Sequence, residues 1–219
     1  MLDYKLVGKV GVIGLDDGKA NAVGHNFVDA MNEGLDRAEA EASGVLITGR
    51  PGLFSAGFDL KEFENGPEAT SALVNKGAHM LLRLFRHPQP VVVACAGHAV
   101  AAGAFTLLAC DVRIGAEGDF KIGLNETAIG MSLPVFGIQL ASARLSKRWQ
   151  TQCVVQAQML SPEEAQNAGF LDQVVAPDAL IDTALSTATT LAELPTPAYA
   201  FNKRALREPY IKIIEDSLA

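Results

Sequence analysis

Glu126 is a carboxylate in apolar company. It sits in the stretch Phe120 to Pro134, between Gly123 and Gly130, with Ile122, Leu124, Ile129 and Leu133 around it. Such neighbours argue for burial, and burial raises a carboxylate's pKa toward neutrality. A group that must both take and return a proton needs that shift. A Glu opening a helix and facing its dipole would satisfy the same pattern. Two small-residue turns upstream, at Ala56-Gly57 and Ala102-Gly103, bear on the choice. Where no bulky side chain blocks them, backbone N–H groups stay accessible. Two such turns could aim two N–H groups at one oxygen, and the second also opens a helix whose dipole favours negative charge. That is the plan of an oxyanion hole. Close helix–strand packing also calls for small residues at such turns.

The elements that must place these residues alternate strand and helix. Lys9 to Asp16, Gly44 to Thr48 and Pro90 to Cys95 read as strands, each followed by a glycine-bearing turn and a helical pattern. Asn21 is a candidate cap for a helix carrying Phe27, Val28, Met31, Leu35 and Ala38. A helix from about Thr70 to Arg86 ends at His87-Pro88. Ala96-Gly97-His98 reads as a turn, Phe105 to Ala109 as a helix, and Asp111 to Ile114 as a short strand. Ser161-Pro162-Glu163-Glu164 is a capping box, closed by Gly169. Leu171 to Val175 suggests a last strand, with helices near Pro177–Leu194 and Pro197–Leu206 after it. Residues 1–175 thus form an α/β core, and 176–219 a helical region packing on that core or on a neighbouring subunit. The apolar pattern of Ile211, Ile213, Ile214 and Leu218 runs to the last residue, so further chain beyond Ala219 is conceivable.

A hydrophobic content of 49% with 20% charged residues marks a globular chain with a large core. The net charge of −7 excludes a broad basic face for nucleic acid. Cys95, Cys110 and Cys153 are odd in number and lack metal-ligand spacing, which points to reduced thiols and a cytoplasmic setting. The uncharged run from Pro90 to Cys110 reaches the length of about 20 residues that spans a membrane. Its β-branched start and glycine break read instead as buried strand, turn and helix. No Gly-x-Ser-x-Gly elbow and no metal cluster is visible.

Phe54-Ser55-Ala56-Gly57-Phe58-Asp59-Leu60 and Gly97-His98-Ala99-Val100-Ala101-Ala102-Gly103 resemble the two acyl-CoA motifs of the enoyl-CoA hydratase/isomerase (crotonase) superfamily, at that family's spacing. The resemblance runs from the strand near Val10 through Val175. It implies a spiral of ββα units with a helical C-terminal part that makes trimers, often paired into hexamers. It implies an acyl-CoA substrate, no cofactor beyond the coenzyme A of that substrate, no metal, and neither nucleic acid nor membrane as partner. The thioester oxygen would be held by the N–H groups of Ala56 and Ala102. Gly57, Phe58, Asp59, Gly103 and Phe105 would line the substrate site, although Asp59 also suits a helix cap. Lys19, Lys61, Lys203 and Arg204 are the candidates for the coenzyme A phosphates, against the plainer reading of solvated surface charges.

Departures from the family pattern sharpen the expectation. Hydratases of the family carry two glutamates; the first would fall at Phe105, while the second matches Glu126. Ile122-Gly123-Leu124-Asn125-Glu126 is similar to mitochondrial-type Δ3,Δ2-enoyl-CoA isomerases, which work with one glutamate and an apolar residue at the other position. The resemblance therefore implies an isomerase of fatty-acid β-oxidation. A hydratase, or another lyase or hydrolase of the superfamily, is the alternative, and a non-catalytic acyl-CoA-binding homologue is a further one.

Overall fold

The computed structural model describes residues 2–219. The chain winds through strand–strand–helix units. The first is β1 (Leu2–Val7), β2 (Val10–Leu15) and α1 (His25–Glu41). The second is β3 (Gly44–Thr48), β4 (Gly52–Ser55), α2 (Leu60–Phe63) and α3 (Pro67–Phe85). The third is β5 (Val91–Cys95), β6 (Gly97–Val100) and α4 (Ala102–Ala109). A fourth begins with β7 (Val112–Ala116) and β8 (Ile122–Gly123) and then turns helical. Its elements are α5 (Val135–Arg144), α6 (Lys147–Gln150), α7 (Pro162–Ala168), a last strand β9 (Gln173–Val175), α8 (Leu180–Leu191) and α9 (Thr196–Leu218).

The leading strands build a six-stranded sheet in the order β1-β2-β3-β5-β7-β9, parallel except for the β1–β2 hairpin. The trailing strands build a second, three-stranded parallel sheet, β4-β6-β8. This is the spiral that the motifs imply. β3 and β5 are nearly unbroken apolar runs because both faces of the large sheet are covered. Val45, Ile47, Val91 and Val93 face the main core with residues of α1, α3 and α4, while Val10, Leu46, Val92 and Ile114 meet α8 on the other face.

Several strands were not legible as such. The sequence reads Ala96-Gly97-His98 as a turn, yet the chain only bends at Ala96 and enters β6 at once. Glycine is obligatory there: a Cβ on Gly97 would fall 1.9 Å from the carbonyl carbon of Gly52, its partner in the parallel pairing of β4 with β6. Asn21 does not cap α1, which starts after Gly24 with no side-chain cap. It is buried instead, and its amide donates to the carbonyls of Leu15 (2.9 Å) and Phe54 (3.0 Å), tying the end of β2 to the end of β4. The capping box at Ser161 and Glu164 is present, with Gly169 closing α7.

Beyond Val175, both α8 and α9 pack on the core of their own chain, α8 on the large sheet and α9 on α5 and α3. The last helix continues past the expected Leu206 to Leu218, through Pro209. Among the described residues no helix is long and apolar enough to cross a membrane.

Candidate active site

The first turn follows β4 and leans on the loop between β2 and α1. Ser55 Oγ donates to the carbonyl of Asn21 at 2.7 Å, and the Ala56 N–H donates to the carbonyl of Ala20 at 3.0 Å. The expectation that Ala56 offers its N–H to a ligand is therefore overturned, because that donor is spent inside the fold. The unpaired donor of this turn is Phe58. Val23 bridges the chain on either side of it, donating to the Gly57 carbonyl at 2.8 Å and accepting from the Asp59 N–H at 3.2 Å. In extended chain, successive N–H groups face opposite ways, so the Phe58 N–H points away from Val23, with no partner among the described residues. Gly57, at φ 102°, turns the chain between the two. Asp59 is the cap that the sequence allows: its carboxylate accepts from the Lys61 N–H at 3.0 Å and opens α2.

The second turn opens α4. As the first residues of the helix, Ala102 and Gly103 have N–H groups without intrahelical acceptors, and no other acceptor among the described residues meets the Ala102 N–H. The two turns touch. A Cβ built on Gly57 would lie 3.5 Å from the Ala102 nitrogen, and one built on Gly103 would lie 2.4 Å from the Ser55 carbonyl oxygen. Small residues are thus required at both turns, by the close approach that leaves the Phe58 and Ala102 donors on adjoining backbone.

β8 brings the chain that leads to Glu126 against the second turn. Gly123 pairs with Val100 in the small sheet, and its carbonyl accepts from the Ala101 N–H at 3.0 Å. Glu126 is 6% exposed, and its Oε2 is buried with no hydrogen-bond partner among the described residues. Burial pushes its carboxyl above the ordinary glutamate range, offset in part by a hydrogen bond from its own backbone. Ile122 and Leu124 are buried as the sequence suggests; Ile129 is not, being 53% exposed. A carboxylate oxygen left unpaired in the interior is costly to folding and suits a group that must exchange a proton.

Phe105 is fully buried and meets Phe136 of α5 edge to face, with ring centroids 5.5 Å apart. A Cβ on Gly137 would lie 2.6 Å from its Cζ, so the ring is seated in a notch that only glycine leaves open.

Of the four proposed phosphate contacts, Lys203 is ruled out. It is buried on α9, with its ammonium 2.7 Å from Asp111 and donating to the Gln89 carbonyl at 3.2 Å. Arg207 joins Asp111 at 2.9 Å. Burial opposes ionisation of Asp111, but these two cations outweigh it and hold the carboxyl below its usual range. Arg204 is exposed and paired with Glu208 on the same helix. Lys19 and Lys61 are exposed. A cavity of about 450 Å³ beside the first turn is bounded by Asp16, Asp17, Asn21, Asp59 and Glu62 among others, and neither lysine lines it. A larger apolar cavity of about 650 Å³ lies on the far side of the large sheet, beside α8.

His98 plays a packing part, its Nδ1 accepting from the Lys121 N–H and its ring against Phe120. Cys95, Cys110 and Cys153 are free and buried, and burial lifts the first two thiols to about 12. Among the described residues no group of His, Cys, Asp and Glu could hold a metal ion.

The chain matches the family model described as enoyl-CoA hydratase/isomerase over residues 7–216. It is similar to the human protein named enoyl-CoA delta isomerase 1, mitochondrial, with 31% identity over 91% of this chain and 68% of that protein. It is also similar to a probable enoyl-CoA hydratase of Bacillus subtilis, at 29% over 84% of this chain and 73% of the relative. A crystal structure of an enoyl-CoA hydratase/isomerase family protein from Pseudomonas syringae superposes with a TM-score of 0.97 at 40% identity, covering 99% of this chain and 94% of that one.

Proposed function

This chain belongs to the enoyl-CoA hydratase/isomerase family, and we propose that within it the protein is an acyl-CoA isomerase that moves a double bond from the β,γ to the α,β position. Glu126 takes a proton from the α-carbon of the bound thioester and returns it at the γ-carbon. The dienolate between the two steps carries its charge on the thioester oxygen, which accepts hydrogen bonds from the Phe58 and Ala102 N–H groups. A single base suffices for such a 1,3-shift. The observation that carries this reading is Phe105: the position of a hydratase's other glutamate holds an apolar ring packed against Phe136 and Gly137. Without a second carboxylate, nothing there activates water for addition.

Hydration of 2-enoyl-CoA is the second reading, favoured by the name of the Bacillus subtilis relative and by the unpaired Oε2 of Glu126, which has room in its chemistry for a bound water. Turnover of 3-enoyl-CoA against 2-enoyl-CoA by the purified protein separates the two. Faster isomerisation supports the first reading, and faster hydration replaces it with the second.

Lys19, Lys61 and Arg204 remain the cations offered to the coenzyme A phosphates. A homotrimer or hexamer fits the apolar side chains that α9 leaves bare, with Phe201 73% and Leu206 77% exposed. Buried unpaired cysteines suit a reducing cytoplasm, and the reaction suits fatty-acid β-oxidation.

A further inference from the structure

Ala101 adopts φ 52° and ψ −117°, a conformation that the Cβ of an L-residue disfavours and that glycine enters freely. It shares a positive φ with only two other non-glycine described residues, Asn21 and Ala157. Asn21 is held by its own buried amide bonds, whereas Ala101 has no polar side chain to hold it. Strain of this kind persists only where the surroundings over-determine it, and it gathers at functional sites.

Three segments meet at this residue. Its N–H donates to the carbonyl of Gly123, on the strand that leads to Glu126, at 3.0 Å. Its carbonyl accepts from the Phe105 N–H at 2.9 Å and so starts α4. Its methyl faces the first turn, where a Cβ built on Gly57 would lie 2.9 Å away. Glycine at 101 would keep both backbone bonds and shed the strain. The one thing it would lose is the methyl against Gly57.

We propose that Ala101 is a positioning residue. Its methyl is wedged against Gly57 and holds the Phe58 and Ala102 N–H groups in register for one thioester oxygen. This rests on the reading of those two groups as the acceptor site for that oxygen. The residue touches no reacting atom; it acts through the backbone that follows it and the backbone that it abuts.

The test is Ala101→Gly beside Ala101→Ser, which restores a Cβ. Thermal unfolding should show Ala101→Gly as stable as the parent or more so, since strain is relieved. Infrared difference spectra of bound acyl-CoA, labelled with ¹³C at the thioester carbonyl, report hydrogen bonding to that oxygen without any turnover. The parent should lower the carbonyl stretch, Ala101→Gly should lose about half of that shift or more, and Ala101→Ser should keep it. For turnover, kcat of Ala101→Gly should fall about tenfold with KM changed by no more than about twofold. Full shift and full turnover in Ala101→Gly overturn the proposal. So does a loss shared equally by Ala101→Ser, or one that tracks a drop in stability. If the parent itself shows no shift on binding, the reading of the two N–H groups fails, and the proposal with it; that failure needs no variant to be seen.

Discussion

Gly103→Ala puts the contact between the two turns to a direct test. The added Cβ would stand 2.4 Å from the Ser55 carbonyl oxygen, 2.9 Å from Ser55 Cβ and 3.0 Å from Ser55 C. Carbon–oxygen contacts settle at about 3.3 Å or more, so the turns must part by roughly 1 Å. Nothing there yields easily, because Ser55 closes β4 and its hydroxyl is tied to the Asn21 carbonyl at 2.7 Å. Overpacking of this sort costs about 1–3 kcal/mol of stability. The functional cost is of similar size, since the displacement opens the space between the Phe58 and Ala102 donors. A misplacement of about 1 Å costs on the order of a hundredfold in rate, and kcat on 3-enoyl-CoA should fall by that order.

Gly34→Ala serves as the control. A Cβ there would lie 2.9 Å from Ile13 Cδ1, the far end of a side chain that can rotate away, and Gly34 lies in α1, outside both turns. It should lower the unfolding temperature modestly and leave turnover intact. Steady-state kinetics and thermal unfolding on both variants check the reasoning together. If Gly103→Ala keeps turnover within about twofold of the parent, the spacing of the turns does not set the rate, and the two-donor site is refuted.

Glu126→Gln should lower turnover by about 10²–10⁴ while folding and acyl-CoA binding persist, as circular dichroism and calorimetric titration would show. In the parent, the acid limb of the rate profile should lie above the ordinary glutamate value of about 4.3, because burial raises this carboxyl. The sign for stability is the reverse. The native state holds this proton more tightly than the unfolded chain, so the Glu126 contribution falls as pH rises from the unfolded pKa through the folded one, and Glu126→Gln should remove that slope. Phe105→Glu buries a charge in a site 1% exposed. It should lower the unfolding temperature and impair isomerisation, with any new water addition to 2-enoyl-CoA read by absorbance. Asp111→Asn leaves Lys203 and Arg207 buried without their anion. It should cost about 3–5 kcal/mol and speed hydrogen exchange in α9. In the parent the Asp111 contribution is present at neutral pH and is lost as pH falls through its depressed pKa.

The parts legible in the sequence are those written in side chains. Buried parallel strands such as β5 announce themselves as apolar runs, and Glu126 announces itself by Ile122 and Leu124. What stayed hidden is written in backbone. β6 is short and begins with a glycine, so its composition is that of a turn; only its parallel pairing with β4 and β8 makes it a strand. Ala56 and Phe58 both bracket Gly57, and composition favours the smaller residue as the open donor. The outcome depends on which N–H meets Ala20 and which faces away from Val23, a matter of chain direction that residue type does not encode. Lys203 is different, because a signal was there to be found. Lys203, Arg207, Ile211 and Ile214 recur at helical spacing and are the buried residues of α9. Two cations on the apolar stripe of a helix require a buried anion, and Asp111, in the loop between α4 and β7, is the group that meets them. Periodicity, taken before charge, would have moved Lys203 from the ligand to the core.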